Sequence, residues 1–155
     1  MSFRIAGLDP APFRALYGLS DAALAAWRAK RVRVDASPGF PDRIELRDLD
    51  IGDVAILVNH THLPAESPYR ASHAIFVREG ADTPAAFVDE VPGVMLRRLL
   101  SVRAFDAHDM MIDADVAPGE ESAGLIRKLL ADPRAAYLHV HYAKFGCFAA
   151  RVDRT

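Results

Sequence analysis

The stretch Ala136-Tyr137-Leu138-His139-Val140-His141-Tyr142-Ala143-Lys144-Phe145-Gly146-Cys147-Phe148-Ala149-Ala150-Arg151-Val152-Asp153 reads as two strands around a tight loop. If residues 143–146 form a four-residue connection, it is too short for a crossover helix, so the two strands run antiparallel. The simplest register sets Tyr142 opposite Cys147, His141 opposite Phe148 and His139 opposite Ala150. Side chains two apart on a strand share a face. The two histidines would then look out on one side, and Cys147 would lie on the other with Tyr142, Val140 and Arg151. That placement argues against a Cys–His nucleophilic pair within the hairpin, although one residue of slip would reverse it.

Working outward, further strands rich in Val, Ile and Phe are expected at about residues 43–47, 53–59, 73–78, 99–105 and 110–116, separated by Pro, Gly and Asp. Two main helices are expected. Ser20 is a good N-cap for a helix running from Asp21 through Trp27 to Arg31, with Leu19 placed to staple against Leu24 and with Leu24 and Trp27 as its buried stripe. A second helix reads over about residues 120–131, acidic at its start, basic at Arg127 and Lys128, and stopped by Pro133; Gly124 within it suggests a close backbone contact. Short connections favour an antiparallel or mixed β-sheet of about six to seven strands. The expected class is α+β.

The chain has 155 residues, 51% hydrophobic and 26% charged, with a net charge of −2, which fits one folded domain and excludes a disordered chain. The near-neutral balance argues against nucleic acid or an anionic membrane as partner. The lone cysteine, Cys147, cannot form an internal disulfide, the first residues do not read as a secretory signal, and no run is long and apolar enough to span a bilayer. Cytoplasmic placement is therefore expected.

Candidate chemistry comes from the histidines. Four of the six fall in two His-x-His pairs, His60-Thr61-His62 and His139-Val140-His141. On extended strands each pair aims two imidazoles to one side, a geometry suited to polar lining, to acid–base work or to a transition metal. Which of these applies, and whether a metal or other cofactor is bound, is left open by the residues alone. Tyr69-Arg70-Ala71-Ser72-His73 follows a proline-rich loop, where an arginine fork and hydroxyls can hold a carboxylate or phosphate. The plainer alternative pairs Arg70 with Asp106 or Asp113. Familiar nucleotide, zinc and hydrolase motifs are absent.

The blocks Pro68-Tyr69-Arg70-Ala71-Ser72-His73-Ala74-Ile75-Phe76-Val77-Arg78, Leu99-Leu100-Ser101-Val102-Arg103-Ala104-Phe105-Asp106, Asp113-Ala114-Asp115-Val116 and His139 through Gly146-Cys147-Phe148-Ala149-Ala150-Arg151 together resemble the bacterial domain-of-unknown-function family 1203. The resemblance implies a bacterial, single-domain protein and carries no established activity. Where the family's usual pattern has Cys-Arg this chain has Asp42-Arg43, and where it has Gly-Pro this chain has His73-Ala74. A role needing two thiols is thus not implied, and His73 is not carried over as a family residue.

Two functional readings follow. In the first, His60, His62, His139 and His141 meet Tyr69, Arg70, Ser72 and His73 around a pocket for a small polar or anionic molecule, with the histidines as proton-transfer groups if the protein is an enzyme. The second is a noncatalytic interaction module with structural histidines, acting through an apolar surface or an open strand edge.

Overall fold

The computed structural model describes residues 1–155. In chain order the elements are β1 (Phe3–Ala6), α1 (Ala11–Arg14), α2 (Asp21–Ala26), β2 (Ala29–Arg33), β3 (Val54–Leu63), β4 (Ala71–Arg78), β5 (Ala86–Val88), α3 (Gly93–Leu96), β6 (Leu99–Phe105), β7 (Met111–Pro118), α4 (Ser122–Leu130), β8 (Tyr137–Tyr142) and β9 (Phe148–Arg154), with a 3-10 turn over Gly119–Glu121 leading into α4. The class is α+β. The strands form two antiparallel sheets, one of six in the order β5-β1-β9-β8-β6-β7 and one of three in the order β2-β3-β4. The strand total exceeds the expected six to seven because β1, β2 and β5 are short and carry weak alternation.

Strand β8 lies inside the larger sheet and is buried along its whole length. Its period of two divides the molecule's interior. Leu138 and Val140 join Val102, Ala150 and Val152 beneath α4, whose Leu125, Ile126, Leu129 and Leu130 close that core. Tyr137, His139 and His141 point the other way, toward the three-stranded sheet. On β3 the same alternation sends Ile56 and Val58 into a second core with Phe13, Leu16, Leu24, Ile75 and Val77. His60 and His62 extend that side of β3. Polar side chains therefore continue the apolar face out toward the rim where the two sheets meet.

The first expected helix is corrected. Ser20 caps it, accepting from the Ala23 N–H at 3.2 Å, and Leu24 is buried, but the helix ends at Ala26. Arg28 takes a left-handed backbone (φ 53°), and residues 29–33 pair with β3 instead. Pairing along a whole strand outweighs the modest helical preference of Ala, Lys and Arg. Trp27, expected inside, is 58% exposed. Residues 43–47 form no strand; Pro41 and Asp42 make only single bridges to Asp48 and Phe76, and Leu46 sits at φ 51°. Gly124 has no atom within 4 Å of where a Cβ would lie, so no close approach requires it. Gly7 and Gly119 do meet such an approach, with carbonyl oxygens of Ile44 and Met95 at 1.9 and 2.1 Å from that point.

The hairpin register is also corrected. His141 faces Phe148 as expected, but Val140 faces Ala150 and His139 faces Arg151, so Ala149 is an extra residue. Such a bulge places two residues of one strand against one of its partner. Beyond it every side chain changes face, and Arg151 leaves the Cys147 side to join the histidines.

Candidate functional site

The imidazoles of the two His-x-His segments converge although 77 positions in sequence separate His62 from His139. His62 lies with its ring centroid 4.9 Å from that of His141 and 6.0 Å from that of His139, edge to face, and His139 and His141 are 6.2 Å apart. Phe148 is the common wall. His62 stacks on it at 5.3 Å with 10° between planes, while His139 and His141 meet it edge on at 5.0 and 5.8 Å. His60 reaches the same phenylalanine at 6.1 Å and Phe13 at 5.7 Å.

Burial sets the charge of this cluster. His139 and His141 are only 3% and 1% exposed, and removal of water pushes each pKa down to about 3. Neighbouring basic groups add to the effect, His141, His62, Arg151 and Arg103 on His139 and Arg103, His62 and His73 on His141; against them the Gly146 carbonyl bond raises His141. His62 is lowered to about 4 by burial, then by His60, Arg103 and His73, and His60 is lowered by burial and Arg43. At neutral pH all four rings are uncharged. His141 Nδ1 lies 3.0 Å from the Gly146 carbonyl oxygen, so Nδ1 carries the proton and Nε2 is left as acceptor, 3.5 Å from Arg103 Nη1. The Nδ1 atoms of His62 and His139 are enclosed and have no hydrogen-bond partner. Unpaired buried polar atoms are uncommon in folded proteins and ask for an explanation.

A cleft of about 300 Å³ opens beside these two rings, lined by His62, Leu63, Pro64, Ala65, Asp109, Tyr137, His139 and Arg151. Its far wall is built by a relay. Tyr137 donates to Asp109 at 2.6 Å, Asp109 is held at φ 59° in the β6–β7 turn, and its carbonyl accepts from Ser67 Oγ at 3.1 Å. Arg151 lies 4.0 Å above the Tyr137 ring and pairs with Asp153 at 2.8 Å. The cleft thus joins an apolar lip at Leu63–Ala65 to one cation and two neutral imidazoles. A second cleft, about 240 Å³ between α2 and β3, has Arg28, Lys30 and Asn59 among aliphatic side chains and carries no group suited to proton transfer.

Of the expected site residues, His60, His62, His139 and His141 come together. Tyr69 reaches the margin, edge to face with Phe105 at 6.2 Å. His73 sits opposite His60 on β4 and therefore on the same face, its Nδ1 2.9 Å from the Ala74 carbonyl oxygen. Arg70 and Ser72 do not line the cleft. Arg70 is half-exposed and folds back on the Pro64 carbonyl and on Glu66 at 3.4 Å, rather than on Asp106 or Asp113. Ser72 lies opposite Thr61, exposed on the reverse face of the smaller sheet. The functional groups that sequence reasoning missed are Tyr137, Asp109, Arg103 and Arg151. Aspartate is among the residues that tolerate a left-handed turn, which is a signal for Asp109; Arg151 is hidden by the bulge.

No set of three or more His, Cys, Asp or Glu side chains is disposed to hold a metal ion. The histidine rings meet one another as edge-to-face and tilted neighbours. Cys147 is buried away from them, its Sγ 3.0 Å from Arg43 Nη2. Arg43 is itself 2% exposed, donates to the Phe148 and Pro41 carbonyls and stacks on Tyr142 at 5.0 Å. Arg97 and Arg98 both turn to Asp48, at 3.2 and 2.5 Å, so they form no free basic patch. No helix is long and apolar enough to cross a membrane.

Neither a curated protein nor a solved structure matches the chain. A family description does, over residues 39–154, a span that holds every residue of the histidine cluster and the cleft while leaving β1, α1, α2 and β2 outside it. The chain belongs to the family described as "Protein of unknown function (DUF1203)".

Proposed function

We propose that the protein binds a small polar or anionic molecule in the cleft between its two sheets. The observation that carries this reading is the pair of enclosed, unpartnered imidazole nitrogens on His62 and His139 at the wall of a cleft of about 300 Å³. Leaving each of them unsatisfied costs on the order of 1–3 kcal/mol, and because both rings line the cleft, a small ring rotation that brings a nitrogen to its surface lets a ligand's hydroxyl, amide or acid group remove that cost. Arg151 supplies the cation at the mouth, the Tyr137 ring supports it, and Leu63, Pro64 and Ala65 cover the ligand's apolar part.

Binding is favoured over acid–base catalysis by the magnitudes. A general base works best with a pKa near the operating pH, whereas burial holds the free imidazoles of His139 and His141 near 3 and His62 near 4. They are hydrogen-bonding groups in the free protein. They become proton carriers only with a ligand whose negative charge raises them. The interaction-module alternative has weaker support, since the exposed large apolar side chains Trp27, Ile51, Val88 and Phe145 lie on different elements and the adjacent pair Leu99 and Val116, on β6 and β7, is small.

Thermal-shift screening of the full chain against a panel of soluble metabolites tests the proposal, because a ligand that prefers the native state raises its melting temperature. The expected result is a stabilising hit that is lost in both Arg151→Ala and His139→Gln. A panel with no hit, or hits that stabilise both variants as well as the wild type, overturns it.

A further inference from the structure

Arg103 stands out in the charge pattern around the imidazoles. It projects from β6 opposite His139, on the face that looks toward the smaller sheet. Its guanidinium is partly buried and has no carboxylate within salt-bridge distance; Arg43 and Arg154 also lack one, but they are satisfied by backbone carbonyls, which Arg103 is not. The contacts it does make are neutral. Nε donates to Ser101 Oγ at 3.2 Å, and Nη1 lies 3.5 Å from His141 Nε2. Most of the fork's five N–H donors are therefore unused.

The neighbours bring neutral imidazoles and one further guanidinium to Arg103, and no carboxylate within salt-bridge reach. From β3 the cluster is faced by His60 and His62, from β4 by His73, from β8 by His139 and His141, and from β9 by Arg151. The two nearby carboxylates are already committed, Asp109 to the Tyr137 hydroxyl and Asp153 to Arg151. Arg43 acts on His60 from the far side. A half-desolvated guanidinium set among imidazoles, with no acid to balance it, is the arrangement that a planar oxyanion completes.

We infer that the open donors of the Arg103 guanidinium, beside His141, take a carboxylate or phosphoryl oxyanion, and that His141 gains a proton when the anion binds. This deepens the proposed cleft function and rests on it, since His62 touches both His141 and the cleft wall. His141 is positioned for the part. The Gly146 carbonyl holds Nδ1–H, so the proton taken up goes to Nε2, on the Arg103 side, and turns an acceptor into a second donor. Charge balances, with one anion bringing one proton onto a ring that burial keeps neutral in its absence.

The test is isothermal titration of the full chain with sulfate and with malonate, in two buffers of different ionisation heat. Sulfate stays dianionic across the range and stands for a phosphoryl group; malonate stands for a carboxylate. Uptake of one proton raises affinity about tenfold as pH falls by one unit, from about 7.5 to about 6.5. His141→Gln is expected to remove that slope and the buffer dependence, and Arg103→Gln to weaken binding about tenfold or more, with Arg103→Lys recovering part of it. Melting curves of each variant establish that it is folded. Whichever probe shows this pattern identifies the oxyanion class. Binding of both probes without dependence on Arg103 or pH, or no binding of either, overturns the inference. In those cases metabolite stabilisation lost in Arg151→Ala still supports the cleft reading, so the two failures are distinguishable.

Discussion

Acidification should unfold this protein from the inside, through its histidines. In the unfolded chain each imidazole titrates near 6.5, while His139 and His141 are held down to about 3 and His62 to about 4 in the folded protein. The folded pKa is the lower one, so below 6.5 the unfolded state binds more protons and stability falls as pH falls. At pH 5 each group costs about 2 kcal/mol relative to alkaline solution, so the three together remove about 6 kcal/mol, and His60 adds in the same direction. That is comparable to the whole stability of many domains. Glu45 and Glu79, lowered by Arg78 and Arg31, lose their stabilisation at more acid pH, and Asp42, raised by burial, works in the opposite sense. The assay is urea denaturation followed by circular dichroism at about pH 8, 7, 6 and 5. In His139→Gln/His141→Gln the loss between pH 8 and 5 should shrink by about 4 kcal/mol, because glutamine does not titrate and the carboxylates are common to both proteins. An unchanged slope in the double variant, or a wild type equally stable at pH 7 and pH 5, would refute the reasoning.

Other perturbations probe separate joints of the fold. Gly7→Ala places a Cβ 1.9 Å from the Ile44 carbonyl oxygen, which already accepts from Ala85 N–H, so a loss of more than about 3 kcal/mol is expected and a melting temperature within a few degrees of wild type would contradict it. Arg43→Ala removes a buried side chain that ties the Phe148 and Pro41 carbonyls together; expect about 3 kcal/mol or more in chemical denaturation, and insensitivity would show that those carbonyls are satisfied otherwise. Tyr137→Phe deletes the 2.6 Å bond to Asp109, which should cost about 2 kcal/mol and speed amide exchange in the β6–β7 turn; unaltered exchange there would mean that the turn is held by its backbone alone.

Local chemistry made much of this architecture legible. Strand β6 lies where its Val and Phe content places it, and Ser20 starts its helix. The Ala-rich run after Asp21 is different, because Ala29, Lys30 and Arg31, expected to continue the helix, gain more by pairing with β3, and that gain depends on partners 25 to 29 positions away. The same limit applies to the site. The two His-x-His segments each announce a shared face, but their meeting depends on how the three-stranded sheet lies against β8 and β9, which no short-range pattern encodes. Arg70 illustrates the converse error, since an arginine in a loop suggested a ligand and found the Pro64 carbonyl and Glu66 within its own loop.

The surplus alanine in β9 makes that hairpin a two-position selector. With Ala149 in its bulge, Arg151 belongs to the imidazoles. Flattening the bulge with Ala149 retained would slide the rest of β9 by one residue, set Ala150 opposite His139 and turn the guanidinium beneath α4, whereas deleting Ala149 would leave Arg151 where it is. Descendants of this chain could thus alter what they recognise through the local pairing of one hairpin, with every surrounding side chain conserved in kind.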